Sequence, residues 1–452
     1  MKIPVEKNKE YIVEIIDNGF QGEGIAKISD YTIFVANAIK GEKVKIKILK
    51  VTTSYAYGKI IDLIEKSENR VISDCATFNK CGGCALRHMK YDETLKLKKN
   101  TVISNFRKQG LEIEVKDCIG MENPYNYRNK LQYPVGIDKD GNPVMGVFQE
   151  RTHSIIKTEE CKIQDLESQE IASEIFEFWK LNNLEVYNEK TLKGSLRHIV
   201  IRKGKKTNEV MVTLVVNKLF EKQEELIKVL TEKFVNIKTI AININNKNTN
   251  VILGNKTEII YGDGYIEDEI LGYKFKISPM SFYQVNPIQT EILYSKAIEY
   301  ADLKGEEIIF DLYCGIGTIG ICSSKNAKKV YGIETIKEAI DDAKQNAKIN
   351  NLEHAEFFVG DVEEKLPKFL SENNIVPDVV FVDPPRKGVD KTAIETLLNL
   401  EPKKIVYVSC NSATLARDLK LFEEKYEIKE ATPVDMFPFT HHVECVALLE
   451  KR

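Results

Sequence analysis

Three sets of reactive side chains stand out in this sequence. "KIVYVSC", Lys404 to Cys410, is an apolar run ending in a thiol, and "NSATLARDL" follows it with the pattern of a capped helix. A thiolate there would be a nucleophile at the mouth of a buried strand, although Cys is also a small core-forming side chain. A nearby helix N-terminus is expected to favour its ionised form. "DVVFVDPPRKG" brings Asp383 to a strand end, where the Pro-Pro turn fixes the direction of its carboxylate. "THHVEC" sets Glu444 in polar sequence just before the apolar "VALLEK", the place for a base. His441 and His442 are adjacent, which suits them to shaping a loop better than to sharing a metal ion. The third set, Cys75, Cys81 and Cys84 in "CATFNKCGGC", is spaced C-x5-C-x2-C. Thiols so close together in a reducing compartment read as metal ligands, for zinc or an iron–sulfur cluster alike. Cys118 and Cys161 are the nearest sources of a fourth ligand.

The elements that position these groups follow from the pattern of strands and helices. From about residue 271, "EEIIFDLYCGIGTIGICSS" reads as strand, glycine-rich turn and helix, and "KKVYGIE" as a strand before the helix "TIKEAIDDAKQNAKIN". "AEFFVGD", "DVVFVDPP" and "KIVYVSC" are three further strands. Such alternation predicts an α/β fold with a largely parallel, doubly wound sheet, whose ligands bind beyond the carboxyl ends of the strands. Asp311, Glu334, Asp361, Asp383 and Cys410 all fall at such ends. "GIGTIG", Gly315 to Gly320, fits a turn built for close approach of a ligand, and Glu334 is placed to accept two ribose hydroxyls. Together they imply an adenosine-containing cofactor, a dinucleotide or S-adenosylmethionine (SAM). SAM is favoured because the later strands carry reactive groups rather than a second nucleotide half.

The preceding residues are organised differently. Residues 1–63 hold short strands separated by glycine turns, with the spacing of a small OB-like β-barrel, and Lys43, Lys45, Lys47 and Lys50 project from them. "EKSENRVISD" reads as a linker. Residues 75–270 form a β-rich central domain with the cysteine cluster at its start, and residues 271–452 the α/β domain. The 452-residue chain is long enough for about two to four domains. A formal net charge of −3 gives no basic average, so phosphate contacts need local clusters. Lys80–Lys108 offers eight Lys/Arg against two acids, and Lys193–Lys206 six with none. The sequence opens with no apolar leader and contains no run long enough for a bilayer, so a cytoplasmic protein is expected. Nine cysteines in that compartment suggest ligation, catalysis or packing rather than disulfides.

"FDLYCGIGTIGI", "VDPPRKG", "VYVSCNSATLARDL" and "FPFTHHVECVALLEKR" together resemble the motif set of the SAM-dependent RNA uracil-C5 methyltransferases. Within them the match is to the branch that modifies 23S ribosomal RNA and carries an N-terminal TRAM domain, an OB-like RNA-binding module. The resemblance implies a class I Rossmann-like methyltransferase domain. It puts SAM contacts on Gln284 of "SPMSFYQVNPIQ", Tyr313, Glu334 and Asp383, with Asp361 near the adenine; Thr318 stands where some members carry Asn. It makes Cys410 the nucleophile and Glu444 the base. It places a [4Fe-4S] cluster on Cys75, Cys81, Cys84 and, from "TEECKIQ", Cys161, leaving Cys118, Cys314, Cys322 and Cys445 to packing. The implied partner is 23S ribosomal RNA, met as a monomer before or during subunit assembly. Phe282 and Tyr283 are candidates for stacking on an extruded base. A transfer-RNA uracil-C5 methyltransferase and a non-catalytic RNA-binding protein on the same fold are the alternatives.

Overall fold

The computed structural model describes residues 3–373 and 375–452; Met1 and Lys2 of the span 1–63, and Asn374 of the span 271–452, lie outside the described residues. In the C-terminal region, Ala355–Val359, Lys329–Glu334, Ile308–Leu312, Val379–Val382 and Lys404–Ser409 lie side by side in parallel. Glu444–Lys451 continues the sheet antiparallel to both of its neighbours, Lys404–Ser409 and Tyr426–Val434. Strands such as "VVFV" and "KIVYVS" are apolar almost throughout because helices cover both faces of the sheet, giving two cores, one on either side. Strand order reverses at Ile308–Leu312, whose two neighbours are Lys329–Glu334 and Val379–Val382. The crevice beyond its carboxyl end is therefore the topological switch point where this architecture binds ligands.

The eighth strand comes from far away in the sequence. Glu114–Val115 pairs parallel with Tyr426–Val434. The helix Tyr91–Lys108 before it buries Val102 and Phe106 in the core beneath the C-terminal sheet. Residues 91–115, within the span 75–270, are thus built into the C-terminal α/β layer.

The rest of the central region is a seven-stranded mixed sheet, running Ile155–Lys157, Pro143–Phe148, Lys130–Ile137, Leu196–Lys203, Val210–Val216, Ile237–Ile244, Lys256–Gly262. The helices Leu166–Leu181 and Gln223–Lys233 bury Trp179, Ile175, Leu226 and Leu230 in its core.

The N-terminal strands pair in one open, mixed sheet whose outermost strands are Glu10–Glu14 and Asp17–Asn18. This corrects the expected barrel. The two edge strands are neighbours in sequence, joined through Ile15 and Ile16, whose amides donate to Glu42 and Ile25. That short link curls the sheet over its own core without a closing ladder. Nor is the polar linker free: Arg70 donates to both carboxylate oxygens of the fully buried Glu42, at 2.5 and 2.7 Å, and to the Asn37 carbonyl at 2.7 Å.

Candidate active site

The glycine-rich turn sits at the switch point. Tyr313, Gly315 and Gly317 all adopt positive φ, and a side chain on Gly317 would strike the Phe357 ring at 2.8 Å. A Cβ on Gly315 would meet nothing within 4 Å, so this backbone faces open space, as a cofactor cradle requires. The Glu334 carboxylate accepts from the Gly315 amide at 3.3 Å, the Thr335 hydroxyl at 2.9 Å and the Ile336 amide at 3.0 Å, which aims it at the same space. Asp311, buried beneath the turn, accepts from the Gly320 amide at 2.7 Å, while its second oxygen has no partner. Burial pushes its pKa up to about 7, helped by the charges of Asp383 and Glu334. These residues fit an adenosine-containing group. Replacing Glu334 with Ala is expected to weaken SAM binding about 10- to 100-fold, measured by calorimetry, because hydrogen bonds to a charged acceptor are lost.

The remaining expected cofactor residues are held by different local contacts. Tyr313 donates its hydroxyl to Glu363 at 3.1 Å. The Gln284 carbonyl accepts from the Asn129 side chain at 3.1 Å. Its loop is tied down by Arg202, which donates to the Ser281 carbonyl at 2.5 Å, and by Ser281, which donates to Asp342 at 2.7 Å. Asp361 is exposed and opens the helix Val362–Asn373 with its carbonyl. Phe282 stands 71 % exposed, but Tyr283 is buried with its hydroxyl on Asp268 at 3.2 Å, so only Phe282 is free to stack.

Cys410 and Glu444 leave neighbouring strands at one end of the sheet. Ser409 pairs with Cys445, so the next residue outward on each strand is Cys410 and Glu444. Cys410 is half-buried and Glu444 buried. Burial pushes the thiol up to about 11, with Glu444 and Asp383 adding to the rise and Arg386 opposing it. The expected lowering by the helix Ser412–Phe422 is therefore outweighed. That helix is capped by Asn411, whose side chain accepts from the Ala413 amide at 3.0 Å. Glu444 is pushed up to about 8 by burial and by Asp383, again against Arg386, and Asp383 itself up to about 7 by burial. The "DPPRKG" turn is held in place by the same helix. Asn411 and Thr414 donate to the Arg386 carbonyl at 3.2 and 3.3 Å, and the buried Asp418 accepts from the Val389 amide at 2.9 Å.

One anchor of this site had no sequence signal. Lys98 and Asp435, 337 residues apart, form an ion pair with both side chains fully buried. Asp435 also accepts from the Tyr91 hydroxyl at 2.7 Å, and Lys98 from its other side donates to the Phe437 carbonyl at 3.1 Å. The helix Tyr91–Lys108 thereby fixes the loop that leads to Glu444. Removing one partner, as in Lys98→Met, strands a buried charge. It is expected to cost about 3–5 kcal/mol in denaturant unfolding, with Lys98→Met/Asp435→Leu recovering most of it.

The four expected metal ligands are neighbours but are not gathered. Cys81 and Cys84 are pushed up, Cys84 to about 12, chiefly by burial and further by the charges of the other thiols. Cys75 lies 3.4 Å from the Thr77 hydroxyl, and Cys84 and Cys161 pack against Met121, Tyr127, Ile163 and Phe439. Among the described residues no group of three or more His, Cys, Asp or Glu is arranged to hold a metal ion. Burial favours the neutral form of Cys81, Cys84 and Cys161. Cys118, Cys314, Cys322 and Cys445 are buried.

Much of the basic sequence is structural. In Lys193–Lys206, Arg197 donates to the Asn245 and Lys247 carbonyls and Arg202 to Ser281. Lys203 pairs with Glu167 and Lys206 with Glu291. In Lys80–Lys108, Lys98 is buried on Asp435. Arg87 is also buried, its guanidinium over the Tyr125 and Phe439 rings, with Asp74 at 2.8 Å.

A mixed sheet with five parallel strands, an open glycine turn with the Glu334 carboxylate beside it, and reactive groups at the strand ends is the architecture of the α/β methyltransferase class. Residues 90–452 match the tRNA (uracil-5-)-methyltransferase family and residues 4–61 the TRAM domain. An uncharacterized RNA methyltransferase of Clostridium acetobutylicum is 50 % identical over 99 % of this chain and 98 % of its own. One from Clostridium tetani is 47 % identical over 99 % and 97 %. The crystal structure of the Pyrococcus abyssi tRNA (uracil-54, C5)-methyltransferase with S-adenosyl-L-homocysteine is similar over 98 % of this chain and all of that one, with a TM-score of 0.78 and 29 % identity. The chain belongs to the SAM-dependent RNA uracil-5-methyltransferase family, with a TRAM domain at its N-terminus. It is an RNA methyltransferase. No helix among the described residues is long and apolar enough to cross a membrane.

Proposed function

We propose that this protein methylates carbon-5 of uridine in 23S ribosomal RNA in the cytoplasm, with Cys410 as nucleophile and Glu444 as base. The observation that carries the reading is the register that sets these two side chains next to each other at the ligand-binding end of the sheet. Carbon-5 of uracil is a weak nucleophile. Addition of the Cys410 thiolate to carbon-6 turns the ring into an enolate with electron density at carbon-5. SAM supplies the electrophilic methyl group. Glu444 then takes the carbon-5 proton, the carbon–sulfur bond breaks, and the thiolate is released. Gln284, Tyr313, Glu334 and Asp383 would hold the cofactor, with Glu334 on the ribose. Arg386, the cation that opposes the upward shift of both reacting groups, would steady their charged forms.

Labelled SAM and unmodified ribosomal RNA test the reading: C5-methyluridine is expected, and its absence overturns the RNA target. Transfer RNA is the second reading, favoured by the likeness to the Pyrococcus abyssi enzyme. Transcripts of both kinds, offered in competition, decide between them. For Cys75, Cys81, Cys84 and Cys161, a [4Fe-4S] cluster is proposed from their proximity in chain and fold. Iron and acid-labile sulfide in protein purified without oxygen test it, at about four of each per chain.

A further inference from the structure

Val434 and Glu444 face each other across the last antiparallel pair of strands, so residues 435–443 form a closed connection beside the candidate base. Five successive carbonyls in it accept hydrogen bonds from residues remote in sequence. Asp435 and Met436 accept from the side chains of Gln289 and Asn286, both at 3.0 Å, and Phe437 from Lys98 at 3.1 Å. Pro438 accepts from the Tyr127 hydroxyl at 3.2 Å, and Phe439 from the Leu86 amide at 2.9 Å. The chain then turns at Phe439, whose φ of +65° lies in the left-handed region that bulky side chains rarely adopt. Its ring is buried, with its centroid 5.6 Å from those of Tyr91 and Tyr125 and the Arg87 guanidinium 4.5 Å above it. Met121, Ile163, Cys84 and Cys161 pack into the same cluster.

We propose that Phe439 is a positioning residue for Glu444. A left-handed conformation at a bulky residue persists only where its surroundings over-determine it, and such residues gather at functional sites. Here the buried ring and the row of held carbonyls fix the point from which the chain runs to the base. Thr440 donates to the Phe437 carbonyl at 2.9 Å, its hydroxyl accepts from the His442 amide at 3.2 Å, and Val443 is buried beneath the sheet. The direction in which the chain leaves Phe439 therefore sets where the Glu444 carboxylate meets carbon-5. Cys410 is placed separately, by its own strand Lys404–Ser409 and the helix Ser412–Phe422. Emptying the Phe439 seat thus displaces the base and spares the nucleophile, so that addition continues while elimination slows. The central region contributes to the reaction by this route, through Leu86, Tyr127 and the cluster around the ring. The inference rests on the proposed roles of Cys410 and Glu444.

Phe439→Gly in the full chain tests it, because glycine accepts the same φ without strain and removes only the ring. Its kcat is expected to fall about 10- to 100-fold, with SAM affinity within about twofold of the wild type and covalent protein–RNA complex accumulating on a denaturing gel. Leu230→Ala, a truncation in the core of the central sheet, should lower unfolding stability without any such complex. Should the glycine variant fail to fold, Phe439→Leu keeps apolar bulk in the seat and should show a smaller fall, about three- to tenfold, with the complex still visible. Wild-type turnover in the folded variant, a loss of SAM binding equal to the loss of turnover, or the same complex in Leu230→Ala overturns the positioning role. Glu444→Gln measured alongside separates the two claims. If it traps the complex and the Phe439 variants do not, the positioning role alone fails; if it turns over freely, the base assignment fails and this inference falls with it.

Discussion

Replacing Cys410 with alanine is expected to abolish methyl transfer, by on the order of 10⁴-fold or more, while SAM affinity stays within about twofold of the wild type. The side chain sits where a strand gives way to a helix, and its sulfur is held neutral by burial and by the two nearby acids, Glu444 and Asp383. That environment is poor for a resting thiolate. A ring arriving at the thiol changes the balance: the sulfur would pass its proton to the neighbouring Asp383 carboxylate, and the negative charge would spread over the uracil as the carbon–sulfur bond forms. Without the sulfur there is no route to an electron-rich carbon-5, and the remaining carboxylates cannot supply one. Initial rates with labelled SAM, together with calorimetry of SAM binding, check both halves of the expectation. A Cys410→Ala protein that methylates RNA at the normal rate would sink the covalent mechanism.

How much of this was legible in the sequence depends on the distance over which each feature is encoded. The parallel strands were, because uninterrupted apolar runs such as "VVFV" occur only where both faces are covered. So were the turn at Gly315 and the acid at Glu334, whose signals are local. The neighbourhood of Cys410 and Glu444 was not derivable from spacing. It exists because the last strand inserts between Lys404–Ser409 and Tyr426–Val434, an antiparallel detour that no local pattern reveals. Glu114–Val115 was invisible for the same reason and because two residues show no period. The expected barrel failed on closure, which depends on hydrogen bonds between edge strands rather than on their number. The basic run at Lys193–Lys206 misled for a different reason: Arg197 and Arg202 satisfy buried carbonyls, and composition does not distinguish that use of a guanidinium from a phosphate contact.

Glu444→Gln should trap the reaction half-way. The amide keeps the size of the side chain but is neutral at every pH and cannot accept the carbon-5 proton. Cys410 can still add to carbon-6, and carbon-5 can still take the methyl, but elimination stalls and protein stays bonded to RNA. A band of covalent complex on a denaturing gel, with turnover down about 10²- to 10⁴-fold, is the expected result. The pH dependence gives a second reading of the same residue. Burial and Asp383 raise Glu444 to about 8, so below that pH it is mostly protonated and unable to act as the base, and above it mostly charged. Steady-state turnover limited by elimination should therefore climb from pH 6 to about 8 and flatten beyond, until ionisation of Cys410 near 11 intervenes. In Glu444→Gln that climb should vanish while Cys410 addition persists. Free turnover by this variant, without adduct and with the pH limb intact, would mean that another group removes the proton. Asp383, half-buried beside both side chains and itself raised to about 7, would be the first to examine.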